Sequence, residues 1–180
     1  MKLINNTAKI VVNELEDGNK SFKAVSAYAD IINKNGYQLA GDVVQFEREV
    51  YPFLFNHGSS ASDIIGDVRT VFDAEENAYV SEINLYDTNP AITKAIESGA
   101  YDSVSISYYV NEYTFGDEDQ LVIHSATMNE VSLVSVGADP NAKIFKNGVS
   151  DELNNAIKEH KAEKVKAAKI KEIKERNELD

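Results

Sequence analysis

The chain has 180 residues, of which 43% are hydrophobic and 27% are charged, and these values fit one folded domain plus an appendage. It contains no cysteine, which excludes disulfides, thiolate metal sites and a cysteine nucleophile. Residues 1–150 carry 10 Lys and Arg against 22 Asp and Glu, whereas residues 151–180 carry 8 of each kind. Because an acidic body repels phosphate groups, nucleic acid is not an expected partner.

The first half of the chain has the composition of β-strands. Four strands are predicted in it, rich in β-branched, alanine or aromatic residues: 9–14, 21–29, 64–72 and 79–86. The first two are joined by a turn at 16–19 whose residues tolerate positive φ, and the last two flank an acidic turn at 73–77. Another turn, at 33–36, precedes an apolar run around Val43.

A single short helix has clear boundary signals in the sequence. Asn89 can cap it, Pro90 suits its first turn, and Gly99 suits its exit. Ile92 and Ile96 are four residues apart and therefore share one face. We expect a helix of about ten residues, near the average for globular proteins.

Strand composition returns over residues 103–113 and 121–136, and the second of these strands is expected to be interrupted or bent near Asn129. The turn at 138–141 is expected to end the sheet. The predicted fold class is therefore mostly β with peripheral helices, a barrel or sandwich rather than alternating βαβ units.

From Asp151 onward the composition changes to that of a charged helix, with Ala, Lys, Glu and Ile and without Gly or Pro. Its apolar positions do not keep a heptad register, so a strong coiled coil is not predicted. The chain is thus divided into a β domain at 1–150 and a helical extension at 151–180. A solvated extension is the main interpretation, and a helix that binds a partner or an assembly is the alternative.

Several functional classes have no support in the sequence. The first residues lack the apolar run of a secretory signal, and no apolar stretch approaches membrane-spanning length, so we expect a cytosolic protein without membrane association. Neither a GxGxxG, a P-loop nor an HExxH pattern occurs, and the three histidines are far apart. Neither a cofactor nor a metal is expected.

Hydrolysis by a serine needs a hydroxyl, a base that takes its proton, and a group that orients the base. Histidine suits the base, since its ordinary pKa of about 6.5 lets it accept and return a proton. His57 follows the apolar run 51–55 and precedes a glycine, at a strand end where catalytic groups are commonly displayed. His124 lies inside a predicted strand and fits a structural role, and His160 lies in the charged helix and fits a solvent-facing one.

Serines alternate with larger residues over 103–108. Alternation along a strand places Ser103, Ser105 and Ser107 on one face and apolar side chains on the other. This pattern also fits a solvent-facing strand, and it does not choose among the three serines. Glu130 begins a strong β run, where it is either a solubilising edge charge or a group that holds an imidazole.

These three places, in this order, resemble motifs of the caudoviral prohead proteases, which are grouped with the herpesvirus assemblin peptidases. The resemblance covers about residues 21–145 and includes the family patterns plLfnH, lSiGf and EvSlV with its Ala-x-Pro-x-Ala turn. The matching segments are Pro52 to His57 with Ile65-Gly66, Val104 to Tyr108, and Glu130 to Val134 with Ala138 to Ala142. The register of the second pattern selects Ser105. One departure is Ser107, which stands where the family has glycine.

The resemblance implies a closed, mostly antiparallel β-barrel that acts as a serine endopeptidase. Ser105 would be the nucleophile, His57 the base and Glu130 the group that holds His57. His124 is the alternative third member, because assemblin-like enzymes use a second histidine there. The implied substrates are scaffold and major capsid-protein segments and the enzyme itself near its tail, inside assembling proheads in the host cytoplasm. Self-association into a dimer is also implied.

Two other functions remain open from the residues themselves. One is a non-catalytic capsid assembly or scaffolding protein derived from this protease fold. The other is an acidic β-barrel binding module whose strand rich in serine and tyrosine faces a ligand.

Overall fold

The computed structural model describes residues 11–14, 20–87, 89–134 and 151–177. These residues form nine strands, one short 3-10 helix at Ala61–Asp63 and two α-helices. The elements are β1 (Val11–Glu14), β2 (Lys20–Tyr28), β3 (Tyr37–Leu39), β4 (Val44–Gln45), β5 (Tyr51–Phe55), β6 (Ile64–Asp73), β7 (Ala78–Leu85), α1 (Pro90–Glu97), β8 (Ser103–Phe115), β9 (Leu121–Val134) and α2 (Asp151–Asn177).

The chain divides into two compact units, residues 1–144 and residues 145–180. The first unit contains all nine described strands and α1, and the second contains α2. Within the described parts of both units, no helix combines the length and the apolar character needed to cross a bilayer. The predicted roles of residues 1–150 as a protease domain and of 151–180 as an assembly tail stay predictions.

The nine strands form one sheet organised around β9. The strand order is β1-β2-β7-β6-β5-β9-β3, and β4 and β8 also pair with β9. Strand β8 runs antiparallel to β9 along nearly its whole length, while β3, β4 and β5 pair with it in parallel, one after another. Both edges of β9 are therefore occupied, and β5 is held between β9 and β6.

The sheet is curled but open. Strand β2 approaches β8 across the curl, yet no ladder among the described strands joins the two. The predicted mostly β fold with helices is confirmed, and most of the pairings are antiparallel. The closed barrel is not confirmed, because β8 uses only one edge, against β9, within the described part of the sheet.

Local sequence signals locate several elements correctly. The β6–β7 hairpin surrounds the predicted acidic turn, in which Asp73 Oδ1 accepts the backbone N–H of Glu75 at 2.9 Å. Helix α1 begins at Pro90, buries the predicted isoleucine face and is followed by Gly99 with φ of 74°. The β1–β2 pair is also present, whereas its predicted turn at 16–19 and the turn at 138–141 lie outside the described residues.

Strand-face side chains of the sheet form the core, together with the apolar face of α1. Its most enclosed members are Phe53, Val68, Tyr79, Ile83, Ile123, Val131 and Leu133. Each large apolar side chain buried in this way contributes about 1.5–3 kcal/mol to folding. The core lies under β5, β6, β7 and the whole length of β9, so it anchors β5 and β9, which carry His57 and Glu130.

Two buried tyrosines organise the segment that leads into β5. The Tyr79 hydroxyl accepts the backbone N–H groups of Val43 and Val44 at 2.7 and 3.0 Å and donates to the Gly41 carbonyl at 3.0 Å. Burial raises the pKa of the Tyr79 phenol. The Tyr51 hydroxyl accepts the backbone N–H of Glu47 at 2.9 Å. These bonds help to satisfy the backbone groups in and around the two-residue strand β4.

Candidate active site

His57 lies two residues beyond the end of β5, in a turn attached to β9. The Asn56 N–H donates to the Leu133 carbonyl at 2.9 Å, and the His57 N–H donates to Ser132 Oγ at 3.1 Å. Both turn residues have left-handed backbone conformations, with φ of 50° for Asn56 and 56° for His57. Such conformations are uncommon outside glycine, although asparagine and histidine tolerate them best, and they cluster at functional sites.

The residue after the histidine is a glycine for a steric reason. A Cβ added at Gly58 would come within 2.3 Å of the Asp63 side chain. That carboxylate accepts the backbone N–H of Ser60 at 2.9 Å and also the Ser60 hydroxyl, and these bonds lower the pKa of Asp63. The backbone at Gly58 therefore lies close to Asp63, and the loop after His57 is compact.

The imidazole contacts the predicted glutamate directly. His57 Nδ1 lies 2.7 Å from Glu130 Oε1, a distance typical of a charge-assisted hydrogen bond. Glu130 is buried, with a side chain only 6% exposed, while 32% of the His57 side chain is exposed. The structure thus brings together two of the three predicted site residues, which are 73 positions apart in the chain.

Ser132 completes this contact and was not predicted as a site residue. Its hydroxyl donates to Glu130 Oε2 at 2.6 Å and accepts the His57 N–H, and its side chain is fully buried. The available signal was its position two residues after Glu130, because alternation places residues i and i+2 on the same face of a strand. Ser132 lies within the segment Glu130 to Val134, for which the family resemblance implies a role only at Glu130.

A β-bulge determines which way Glu130 points. In the β8–β9 ladder, Ser107 pairs with Glu130 and the next residue of β8, Tyr108, pairs with Met128. Asn129 is therefore an extra residue on β9, and it lies where the sequence predicts a bend. Because Ser107 and Tyr108 face opposite sides, Glu130 and Met128 do too, which places Met128 in the core and Glu130 on the other face. Bulges often serve to re-aim a side chain in this way.

Ser105 lies on β8, directly opposite Ser132 in the ladder. Directly opposed residues of an antiparallel pair share a face, with Cβ atoms about 4.5–5.5 Å apart. Ser105 is therefore on the same face as Glu130 and one strand away from the His57–Glu130 pair. Its hydroxyl forms no hydrogen bond to any described residue, so a Ser105–His57 bond is not formed in this structure.

The two neighbouring serines differ from Ser105 in this respect. Ser103 Oγ donates to Asp102 Oδ1 at 2.9 Å, and Ser107 Oγ accepts a hydrogen bond from Asn129 Nδ2 at 3.3 Å. Of the three hydroxyls on this face of β8, that of Ser105 alone lacks a bonded partner among the described residues.

His124 and His160 both lie outside the contact formed by His57, Glu130 and Ser132. His124 Nε2 lies 2.7 Å from Thr114 Oγ1, on an exposed part of the β8–β9 ladder. It is six residues before Glu130 along β9, which is about 20 Å at the rise of a strand. His160 lies in α2, in the second unit. Over the described ranges, no group of three or more Asp, Glu or His side chains is arranged to hold a metal ion.

A cleft of about 540 Å³ lies between α1 and the segment formed by the 3-10 helix and the first residues of β6. Its walls include Phe55 and Tyr101, whose ring centroids are 5.5 Å apart. Phe55 pairs with Leu133, the residue after Ser132, so it faces the side of the sheet opposite to Ser105. The cleft is therefore not part of the row formed by Glu130, His57 and Ser132.

Comparisons with known proteins agree with one another. The caudovirus prohead serine protease family matches residues 9–159 of the chain. Two relatives, each named a probable capsid maturation protease, come from Lactococcus phage p2 and Lactococcus phage SK1. Each is 46% identical over 153 residues, which cover 85% of this chain and 86% of the relative. No solved structure matches the chain. On the family match and these relatives, the chain belongs to the caudovirus prohead serine proteases.

Proposed function

We propose that the chain is a serine endopeptidase of prohead maturation in which Ser105, His57 and Glu130 are the catalytic residues. The observation that carries this proposal is the 2.7 Å contact between His57 Nδ1 and Glu130 Oε1. A buried carboxylate that holds one imidazole nitrogen is the arrangement a histidine base requires, because it fixes the tautomer and stabilises the imidazolium.

In the proposed reaction, Ser105 Oγ attacks the carbonyl carbon of the scissile peptide while its proton passes to His57 Nε2. The tetrahedral intermediate collapses, the C–N bond breaks, and His57 returns the proton to the leaving amine. Water then repeats the sequence on the acyl-enzyme, which releases the acid product and restores the Ser105 hydroxyl. Throughout, Glu130 stays ionised and holds the charged imidazole.

Two features support His57 as the base. Glu130 is hydrogen-bonded to Nδ1 of His57, so Nε2 is the ring nitrogen that can accept the serine proton. The Ser105 hydroxyl has no competing partner among the described residues, so it is available to donate to that nitrogen. Hydrogen bonds between nucleophile and base are often long in unliganded enzymes and tighten with substrate, and we assign the Ser105–His57 bond to the substrate complex.

Ser107 is the rival nucleophile, since it shares a face with Ser105. Its oxygen accepts the Asn129 amide, and it stands opposite Glu130 rather than opposite Ser132. A hydroxyl beside the carboxylate lies on the wrong side of the imidazole, because Glu130 binds Nδ1 and the proton must go to Nε2. This argument favours Ser105.

Glu130 is favoured over His124 as the third member. The His124 side chain is engaged with Thr114, on an exposed part of the ladder six residues away. Glu130 is already bonded to the imidazole and carries the charge that an imidazolium needs.

The family and its relatives support capsid-related proteins as substrates. We propose scaffold and major capsid-protein segments, cut inside assembling proheads in the host cytoplasm. The enzyme's own tail is a further proposed substrate. We also propose that the protein forms a dimer and that its sheet closes into a barrel. On α2, Val165 and Ile170 are 56% and 54% exposed, which gives the tail apolar contacts to offer an assembly partner.

A serine-directed phosphonate tests the nucleophile. Wild-type protein is expected to be labelled at Ser105, Ser105→Ala to lose the label, and Ser107→Ala to keep it. In cells, Ser105→Ala is expected to abolish processing of a co-expressed capsid protein. Unlabelled wild type together with unchanged processing in Ser105→Ala would instead support a non-catalytic scaffolding role. For the tail, mass spectrometry that finds it intact after long incubation of an active preparation would contradict self-cleavage.

A further inference from the structure

Ser132 has a fully buried hydroxyl that is bonded to two residues of the candidate site. It donates its proton to Glu130 Oε2 at 2.6 Å and accepts the His57 N–H at 3.1 Å. A serine hydroxyl has one proton to donate and can accept at its lone pairs, so both bonds form at once. One side chain thus joins the backbone of the base to the acid that holds it.

The contact with the carboxylate orients Glu130. His57 Nδ1 is hydrogen-bonded to Oε1 of Glu130, and the Ser132 hydroxyl donates to Oε2, so each carboxylate oxygen has its own donor. Glu130 is 5% exposed, and its surroundings leave little room for water to take either place. Loss of the Ser132 donor would leave Oε2 without a described partner and free the carboxylate to rotate about its last bond.

The contact with the backbone holds His57 in an unfavourable conformation. His57 has φ of 56°, in the left-handed region, and follows Asn56 with φ of 50°. A non-glycine residue keeps such a conformation only where its surroundings fix it. The N–H of His57 is fixed by the Ser132 oxygen, and the N–H of Asn56 by the Leu133 carbonyl.

We infer that Ser132 is a positioning residue of the protease, which sets the angle between the imidazole and the carboxylate without contacting the substrate. This inference rests on the proposed function of His57 and Glu130. Groups that orient a ligating or catalytic side chain commonly contribute about 10- to 100-fold to activity, and a misplacement of about 1 Å can cost a similar factor.

The chain offers a matched control for loss of a buried hydroxyl. Ser81 on β7 is also fully buried, and its oxygen lies 2.5 Å from Ser26 Oγ and 2.7 Å from Thr70 Oγ1. It therefore resembles Ser132 in burial and in having two polar partners, but none of its partners belongs to the candidate site. Ser81→Ala is expected to lower the melting temperature without slowing chemistry at Ser105.

The experiment measures saturation kinetics of phosphonate labelling, which separate the maximal rate constant from the half-saturating concentration. Ser132→Ala is expected to lower the maximal rate constant by roughly 10- to 100-fold with little change in half-saturation, because base positioning and not binding is impaired. Ser132→Thr, which keeps the hydroxyl, is expected to restore most of the rate. Ser132→Cys is nearly isosteric but a weak hydrogen-bond donor, so it is expected to be slow as well.

Each result decides the inference. The inference would be overturned if Ser132→Ala is labelled at the wild-type maximal rate. If Ser132→Ala does not fold, the same result for Ser132→Cys would overturn it. The same conclusion follows if Ser81→Ala slows labelling as much as Ser132→Ala, because the loss would then reflect general destabilisation. Failure of the wild type to be labelled at all would count against the proposed protease function, and a labelled wild type with a fast Ser132→Ala would count against Ser132 alone.

Discussion

Replacing Glu130 with glutamine keeps the size of this side chain and removes its charge. In the wild type the carboxylate receives two donors, His57 Nδ1–H at 2.7 Å and the Ser132 hydroxyl at 2.6 Å. A glutamine amide has one oxygen and one NH₂ group, so it can accept only one of these donors through its oxygen. The Ser132 hydroxyl can turn to accept from the NH₂ group, so the fold is expected to survive while the imidazolium loses its counter-charge.

The size of the effect follows from the geometry. A hydrogen bond of 2.7 Å puts the centres of the imidazolium and carboxylate charges about 4 Å apart, where an effective dielectric constant of about 20 gives an attraction of about 4 kcal/mol. Since each 1.36 kcal/mol is tenfold in rate, the full attraction corresponds to about 10³-fold. The His57 side chain is 32% exposed, so water screens part of the attraction. We therefore expect a loss of about 10²- to 10³-fold.

The measurement is the maximal rate constant of phosphonate labelling near neutral pH, in Glu130→Gln and in wild type. The matched control is Glu82→Gln, which makes the same chemical change in a side chain that is 60% exposed and 2.7 Å from Lys23 Nζ. Exposed ion pairs contribute little, so the control is expected to label like the wild type. A folded Glu130→Gln that labels within about threefold of the wild type would refute the assignment of Glu130 as the stabilising acid.

Three further substitutions test the fold around the site. Tyr79→Phe leaves the Val44 N–H without its acceptor, while the Val43 N–H and the Gly41 carbonyl keep their own bond of 3.1 Å; the change is expected to cost about 1–3 kcal/mol and to lower the melting temperature by about 3–8 °C in thermal unfolding. Burial raises the pKa of Tyr79 above its ordinary value of 10.0, so the stabilisation by its hydroxyl is fully present below pH 10 and is lost as the pH rises through the raised pKa. The difference in melting temperature between wild type and Tyr79→Phe is therefore expected to disappear at high pH. A difference that does not change with pH would contradict the stabilising role of the neutral Tyr79 hydroxyl. Gly66→Ala puts a Cβ 2.2 Å from a backbone carbonyl and is expected to prevent stable pairing of β6 with β7. Gly58→Ala puts a Cβ 2.3–2.5 Å from the Asp63 side chain, including Asp63 Cβ, so it is expected to displace the loop after His57. Because no strand pairing is broken, the loss of stability for Gly58→Ala in a denaturant titration is expected to be smaller than for Gly66→Ala.

Signals that lie within a few residues of each other predicted the local elements well. The β6–β7 hairpin, α1 with its two buried isoleucines and the bend at Asn129 are all present. Strand alternation and the residues that begin and end helices act over short distances, so they can be read without knowing the fold. Asn89 does occupy the predicted position before Pro90, but its side chain forms no capping hydrogen bond. The position of His57 at the end of an apolar strand is a signal of the same kind.

Long-range pairing could not be predicted in this way. Strands β3, β4 and β5 bind β9 in parallel, at separations that no local pattern encodes, and β4 has only two residues. Whether the sheet is open or closed depends on which strand edges are paired, and this is a property of the whole topology. For the site, composition gave the residue types, and the resemblance to the family chose Ser105 among three equivalent serines. The bridging role of Ser132 and the left-handed backbone of His57 are visible only once β5 and β9 are paired.

The additional residue at Asn129 shifts the phase of β9, because the core-facing positions are Ala126 and Met128 just before it and Val131 and Leu133 after it. Deleting Asn129 would make Met128 and Glu130 direct neighbours, and regular alternation would still put them on opposite faces, with Glu130 toward His57. Loss of this one codon is therefore expected to preserve phosphonate labelling, whereas a one-residue slip of β9 that keeps Asn129 in the regular ladder would turn Glu130 toward the hydrophobic interior. A folded deletion variant that is not labelled would show that the enzyme needs the bulge itself.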